Sequence, residues 1–454
     1  MKLLRARLLS PATRGGLQDL PDGLLALDEE GRIADVGPAM DLLQRFAGHP
    51  VEDLRPWCLL PGLVDLHTHL PQHEAVAMDG QELLPWLETF IFPAEARFAE
   101  VEVARAAAAR FFQALLRSGT TLAVVYSTVH EAATEAAFQE AQRCGIRLVM
   151  GKVMMDQHAP EALRETPALS LDASARLCEA WHGCDGGRLA YAFTPRFAPS
   201  CSRELMRGAA DRAERYGAYL QTHLSENLQE LDWVRELFPE AESYTDVYRR
   251  MGLLGPRTLL AHGIHLGRQE RDLLRETGAH LAHCPRSNAF LASGIMPLRR
   301  WMEEGLSVGL GTDVGAGPSL SMWAEAAFAC MASKLRWAER RNLAAHLRKR
   351  SEAPGCGDVV ALIDPEAEAP LIPAEAFRLA TLGGAKALGL EDRIGSLEVG
   401  KEADLVGVDP QVVDPLPERA PESAERLLSR LLYRERPGMV KRTWVRGKVC
   451  WKAP

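Results

Sequence analysis

No apolar run in this sequence reaches the roughly 18 residues that mark a candidate membrane-spanning helix. The nearest approach, VEVARAAAARFFQALLRSG, is interrupted by Glu102, Arg105 and Arg110, so it reads as an amphipathic helix. The N-terminal MKLLRARLLSPATRG lacks the long apolar core and small-residue cleavage site of a secretory signal. A disulfide framework is missing too, because the nine cysteines are odd in number and irregular in spacing. These absences set a reducing cytoplasm as the expected location. Excess positive charge is also lacking: Lys and Arg number 53 against 61 Asp and Glu, a formal net charge of −8. That balance disfavours a nucleic-acid backbone or an anionic membrane as partner. No block has the composition of a disordered tail, since 47% hydrophobic and 25% charged residues are ordinary globular values.

What is present suggests two domains, because 454 residues exceed the about 250 to 300 at which a single core stops growing. Near the N-terminus, LLRARLL, LLALDEEG and RIADVG read as short strands, with a hairpin turn at Glu30-Gly31. They are too few to bury a core alone. IGSLEVGKEADLVGVD and VKRTWVRGKV, near the C-terminus, supply matching strands and turns. The economical arrangement is a small β-sandwich domain built from residues 1–58 and 391–454, with a larger domain, 59–390, inserted between them. Within the insertion, LLPGLVDL, TLAVV, RLVMGKVM, RLAYAF, AYLQT, TLLA, HLAH and SVGLG are each too short for a buried helix. Each precedes a loop or a segment of helical period. This pattern predicts an α/β protein whose large domain is a (β/α)8 TIM-like barrel. The Pro- and Glu-rich stretch 409–438 interrupts the late strands, and its LLSRLLY predicts a surface helix.

Polar residues gather at the strand ends, where barrel active sites are assembled. His67 and His69, two apart in Asp65-Leu66-His67-Thr68-His69, project from one face of an extended segment. His223 closes AYLQTH, His262 closes TLLAH, and Asp313 follows SVGLGT. Any one of these fits a hydrogen-bonded histidine or a helix cap; four strand ends together point to a metal centre. Imidazole and carboxylate suit Zn2+, and they also suit Fe2+ or Mn2+. A metal with an open position lowers the pKa of bound water, with Asp313 placed to take its proton and His262 to hold it. Glu226, in HLSEN, is either a first-turn carboxylate favouring the helix dipole or a proton shuttle that reverses role after its first transfer. His265, His280 and His283 are weaker candidates, His283 as a pocket-lining group.

The motifs resemble those of the amidohydrolase superfamily and, more narrowly, of its guanine deaminases, over nearly the whole chain. PGLVDLHTHLPQ, LLPWLETFIFPAEARF, GKVMMDQ, TPRFAPSCS, QTHLSEN, AHGIHL, HCPRSN and GLGTDVGAG fall in the family order, and ATLGGAKALGLEDRIGSLEVGKEADL is similar to a stretch shared across the superfamily. The resemblance implies zinc, one per subunit, held by His67, His69, His223 and Asp313. It implies Glu226 as proton shuttle, His262 beside the attacking water, and Gln72, Arg196 and Phe197 as substrate contacts. It also implies a homodimer acting on a small-molecule purine base. Independently, the Arg196 guanidinium suits an oxo group on a planar ring, or else a barrel-mouth salt bridge. Phe197 offers a backbone N–H, a ring or an apolar anchor, and Gln72 pairs a donor with an acceptor. The expected reaction is hydrolysis of guanine to xanthine and ammonia. The rivals are deamination of 8-oxoguanine or a nucleoside analogue, and a metal-free interaction protein on an old hydrolase barrel.

Overall fold

The computed structural model describes residues 1–12, 16–79, 82–350, 369–414 and 422–454. The chain begins with β1 (Lys2–Pro11), β2 (Leu17–Leu27), β3 (Ile33–Pro38) and β4 (Val51–Pro61). Barrel strands follow: β5 (Leu63–His69), β6 (Thr120–Tyr126), β7 (Arg147–Gly151), the two-residue β8 (Val153–Met154), β9 (Leu189–Pro195), β10 (Tyr219–Leu224), β11 (Thr258–His262), β12 (His280–His283) and β13 (Ser307–Leu310). It ends with β14 (Leu405–Val408), β15 (Val440–Val445) and β16 (Lys448–Lys452).

All eight expected barrel strands form, in the order β5-β6-β7-β9-β10-β11-β12-β13, with parallel neighbours and β8 paired to β9. Every residue of β5, β6 and β7 is buried, as in strands covered on both faces, which is why they read as continuous apolar runs. Around them the predicted amphipathic segment forms the helix Val101–Arg117. It buries Ala104, Ala107, Ala108, Phe111, Phe112, Leu115 and Leu116, a stripe of helical period, against the barrel core. The last gap closes just beyond β13, where the Asp313 N–H donates to the His67 carbonyl at 2.8 Å and the His69 N–H to the Val314 carbonyl at 2.9 Å. Buried Asp65 reinforces this seam, accepting from the Thr312 N–H at 3.0 Å and its hydroxyl at 2.6 Å. Closing the barrel therefore brings two of the histidine and aspartate motifs side by side.

Strands from both chain ends build one separate seven-stranded mixed sheet, ordered β16-β15-β14-β4-β1-β2-β3, at the place of the expected β-sandwich. Its β1–β4 pair is parallel and the remaining pairs are antiparallel. The predicted N-terminal hairpin is the β2–β3 pair. Its turn glycine, Gly31, has φ +78°, and a Cβ there would sit 1.9 Å from the Arg446 carbonyl oxygen in the C-terminal hairpin. Only glycine lets the two ends approach so closely. The sheet is tied to the barrel by buried Arg147 at the start of β7, whose Nε donates to Asp404 at 2.9 Å and Nη2 to Glu402 at 2.5 Å. The predicted C-terminal surface helix is Ala424–Tyr433, with Leu427, Leu428, Leu431 and Leu432 turned inward. Among the described residues no helix is long and apolar enough to cross a membrane.

Candidate active site

His67 and His69 project from the same face of β5, and their Nε2 atoms lie 3.1 Å apart. Each is 3.0 Å from Oδ1 of Asp313. His223, on β10, stacks on His69 with ring centroids 5.3 Å apart and meets His67 edge-on at 4.8 Å. Its Nδ1 is 2.6 Å from the Arg196 carbonyl oxygen. A carbonyl only accepts, so Nδ1 carries the proton and Nε2 keeps its lone pair. Ligand atoms of His67, His223, His262 and Asp313 all lie within 4.8 Å of one another. With His69 Nε2 within 3.1 Å of two of them, five side chains converge.

Burial pushes His69 down to about 3 and lowers His67 and His223 as well, which keeps the imidazoles neutral. Burial acts in the opposite direction on Asp313, but the surrounding His67, His69 and His262 outweigh it and hold the carboxyl well below its ordinary range. Imidazole nitrogens and a carboxylate oxygen converging this closely form a donor set that a cation completes. The buried His262 Nε2, moreover, has no hydrogen-bond partner. The donor set therefore fits a divalent ion, and its nitrogen and oxygen chemistry suits zinc.

Glu226 lies just beyond β10, but it is not a first-turn carboxylate. The helix starts at Leu228, with Asn227 as its cap. The carboxylate serving that end is Glu230, which accepts from the N–H groups of Glu226 at 2.9 Å and Asn227 at 3.2 Å. Glu226 is thereby left to face the centre: Oε2 is 3.3 Å from His262 Nε2, and Oε1 accepts from the Ser293 hydroxyl at 3.4 Å. Burial, reinforced by the charges of Asp313 and Glu230, raises its pKa well above the ordinary value. A carboxyl that binds its proton more tightly than usual is suited to donating it within a buried site. Ser225, His262 and Asp313 have φ of 49°, 71° and 46°, left-handed conformations uncommon for these residue types. Such strain persists only where its surroundings enforce it. The Gly263 N–H to the Leu224 carbonyl, at 2.8 Å, and the Gly317 N–H to the Asp313 carbonyl, at 2.7 Å, do so here.

A cavity opens beside the cluster. His69, His223, Glu226 and Asp313 line one side; Gln72, Arg196 and Phe197 also line it, and Leu83, Trp86, Leu87 and Leu291 add apolar walls. All three expected substrate contacts thus meet the metal cluster in one space. The Phe197 ring packs edge-on to Trp233 at 6.1 Å. The weaker candidates lie elsewhere. His265 Nε2 bonds the Ser293 carbonyl and His280 Nε2 the Pro256 carbonyl, while buried His283 is not among the residues lining the cavity.

Sequence reasoning missed the groups that orient these residues. HCPRSN forms the short helix Pro285–Phe290. From it the Ser287 hydroxyl donates to Asp313 Oδ2 at 2.6 Å, and Asn288 Oδ1 accepts from His262 Nδ1 at 2.8 Å. Arg286, between them and Pro285, bonds the Ser319 hydroxyl at 2.7 Å instead. The motif itself was the available signal, but which side chain meets which depends on the barrel's closure. Substituting Asn288→Ala removes the acceptor that sets the His262 tautomer. Turnover at saturating substrate should fall about 10- to 100-fold, with metal content by atomic absorption unchanged.

The sequence pattern of the amidohydrolase family matches residues 58–350 and 356–450. The chain is 38% identical over 406 residues to guanine deaminase of Escherichia coli, spanning 88% of this chain and 85% of the relative. It is 36% identical over 463 residues to a probable guanine deaminase of Deinococcus radiodurans, spanning 99% of each. Among solved structures, guanine deaminase of C. acetobutylicum with bound guanine superposes with a TM-score of 0.88 at 30% identity, over 99% of both chains. Five converging side chains able to bind a metal, a carboxyl beside them and similarity along almost the full length agree: the chain belongs to the amidohydrolase family, among that family's guanine deaminases.

Proposed function

We infer that this enzyme hydrolyses guanine to xanthine and ammonia. The observation that carries the reading is the cavity in which Gln72 and Arg196 meet a metal-binding cluster and the buried carboxyl of Glu226. His67, His69, His223 and Asp313 hold one zinc ion per subunit. His67, His69 and Asp313 Oδ1 form the tight triangle, whereas His262 approaches the other Asp313 oxygen, at 3.8 Å, and Glu226. Zinc supplies Lewis acidity that brings the pKa of bound water towards neutrality.

The remaining work falls to the chain's own side chains. His262 orients the attacking water, and Asp313 accepts its proton. Glu226 protonates N3 as the new C2–O bond forms. Glu226 then takes a proton from the new C2 hydroxyl and delivers it to the exocyclic 2-amino group, so the C2 carbonyl forms as the C2–N bond breaks and ammonia leaves; the proton held by Asp313 returns to Glu226 and resets both carboxyls. Arg196 donates to O6, and Gln72 meets the purine edge with donor and acceptor. Phe197 completes the wall. The enzyme acts on a free base in the cytoplasm as a homodimer, with neither nucleic acid nor membrane as partner.

Steady-state rates with guanine, 8-oxoguanine, adenine, cytosine and S-adenosylhomocysteine test the assignment. Guanine should give the highest kcat/KM, with xanthine and ammonia in equal amounts. A preference for any other compound overturns it.

A further inference from the structure

Glu95 belongs neither to the metal cluster nor to the cavity lining, yet it holds two of the recognition groups at once. It lies on the short helix Phe92–Ala96, and its side chain and that of Arg196 are each only 3% exposed. Arg196 Nη1 donates to both Glu95 oxygens, at 2.7 Å each. Glu95 Oε1 also accepts from Gln72 Nε2 at 3.0 Å. The Gly315 N–H donates to Gln72 Oε1 at 3.1 Å. A backbone N–H only donates, so the amide oxygen must face Gly315 and the amide nitrogen Glu95. The Phe92 ring, 5.5 Å from the guanidinium carbon, packs against Arg196 from the same helix. One carboxylate thus pins a cation from the end of β9 and an amide from the end of β5.

We propose that Glu95 is a positioning residue that sets base specificity: by clamping Arg196 and Gln72 it makes the site select an oxo rather than an amino group at C6 of the purine. This rests on the guanine reading above. An arginine presents donors alone. Held still, it rewards an acceptor and sets an amino group N–H against N–H; free to swing, it discriminates little. A site built to hydrogen-bond one group rejects an analogue lacking it far more strongly than an apolar pocket does, provided its donors cannot relax. Glu95 also cancels the buried positive charge, so the cavity offers directed donors to a neutral base rather than an attraction for anions in general.

The test compares guanine with 2,6-diaminopurine, which keeps the 2-amino leaving group and carries an amino group at C6. In the zinc-loaded enzyme, Glu95→Gln keeps the volume and an acceptor oxygen but removes the charge. Its kcat/KM for guanine should fall at least about 10-fold, mainly through KM, and the guanine to 2,6-diaminopurine ratio should shrink by a similar factor. Zinc content should not change. Glu95→Asp keeps the charge but withdraws the carboxylate by one methylene, so it should move the ratio in the same direction by less and serves if Glu95→Gln does not fold. Equal losses on both purines, which a merely structural role produces, overturn the proposal. So does a ratio that survives substitution in a parent enzyme active on guanine. A parent inactive on guanine overturns the functional reading, and this inference with it.

Discussion

Glu226→Gln lowers guanine turnover by about 10³-fold or more while zinc content stays at the parent level. A single positioned acid or base contributes roughly 10²- to 10⁴-fold, and in the proposed reaction one carboxyl serves two successive protonations. Glutamine has the same shape and can still accept from Ser293, at 3.4 Å in the parent, but it cannot release and recover a proton. Metal content, read by atomic absorption, separates this loss from a damaged centre. The fold is spared. A carboxyl whose pKa is raised on folding binds its proton more tightly in the folded than in the unfolded state. Rising pH between those two values therefore erodes stability, and an amide has no such dependence. The thermal midpoint of the variant at neutral pH is accordingly no lower than that of the parent. Turnover within a factor of two of the parent excludes Glu226 as the shuttle.

Removing zinc with a chelator abolishes turnover, and adding zinc alone restores it. The expected loss of stability is also large. Anything that binds only the folded state stabilises it by RT ln(1 + [L]/Kd), about 4 kcal/mol when free ligand is 1,000 times Kd. Without a cation the buried Asp313 carboxylate and the imidazoles around it lose the charge that compensates their burial. Calorimetry should show a thermal midpoint that rises with free zinc. Variants divide the five converging residues. His69→Ala loses bound zinc, whereas His262→Ala keeps it and loses turnover, because His262 Nε2 sits towards Glu226 Oε2 at 3.3 Å. Zinc lost from His262→Ala and retained by His69→Ala reverses the ligand assignment.

Much of the centre was legible before any coordinates. His67 and His69 were paired by the two-residue period of a strand, and His223, His262 and Asp313 by their place at the ends of short apolar runs. Glu226 carried two readings. What separated them was the start of the next helix at Leu228 and the reciprocal bonds of Glu230, a cap that competes with Glu226 for one helix end. Glu95 lay in plain view within LLPWLETFIFPAEARF but went unassigned. Its partner Arg196 is 101 positions away, and no local period relates a short helix to the end of a distant strand.

Local order in the sequence determined the eight strands, the insertion of the barrel between the two halves of a small β domain, and the type and strand-end position of each ligand. It could do so because strand and helix periods act over a few residues and burial on both faces leaves continuous apolar runs. The tertiary structure alone decided which of those ligands face one another. The His67–Asp313 seam forms only when β13 returns to β5 and closes the barrel. That closure fixes distances of 3.0 Å between residues 246 positions apart, and with them which imidazole meets the Glu226 carboxyl and where Arg196 is held.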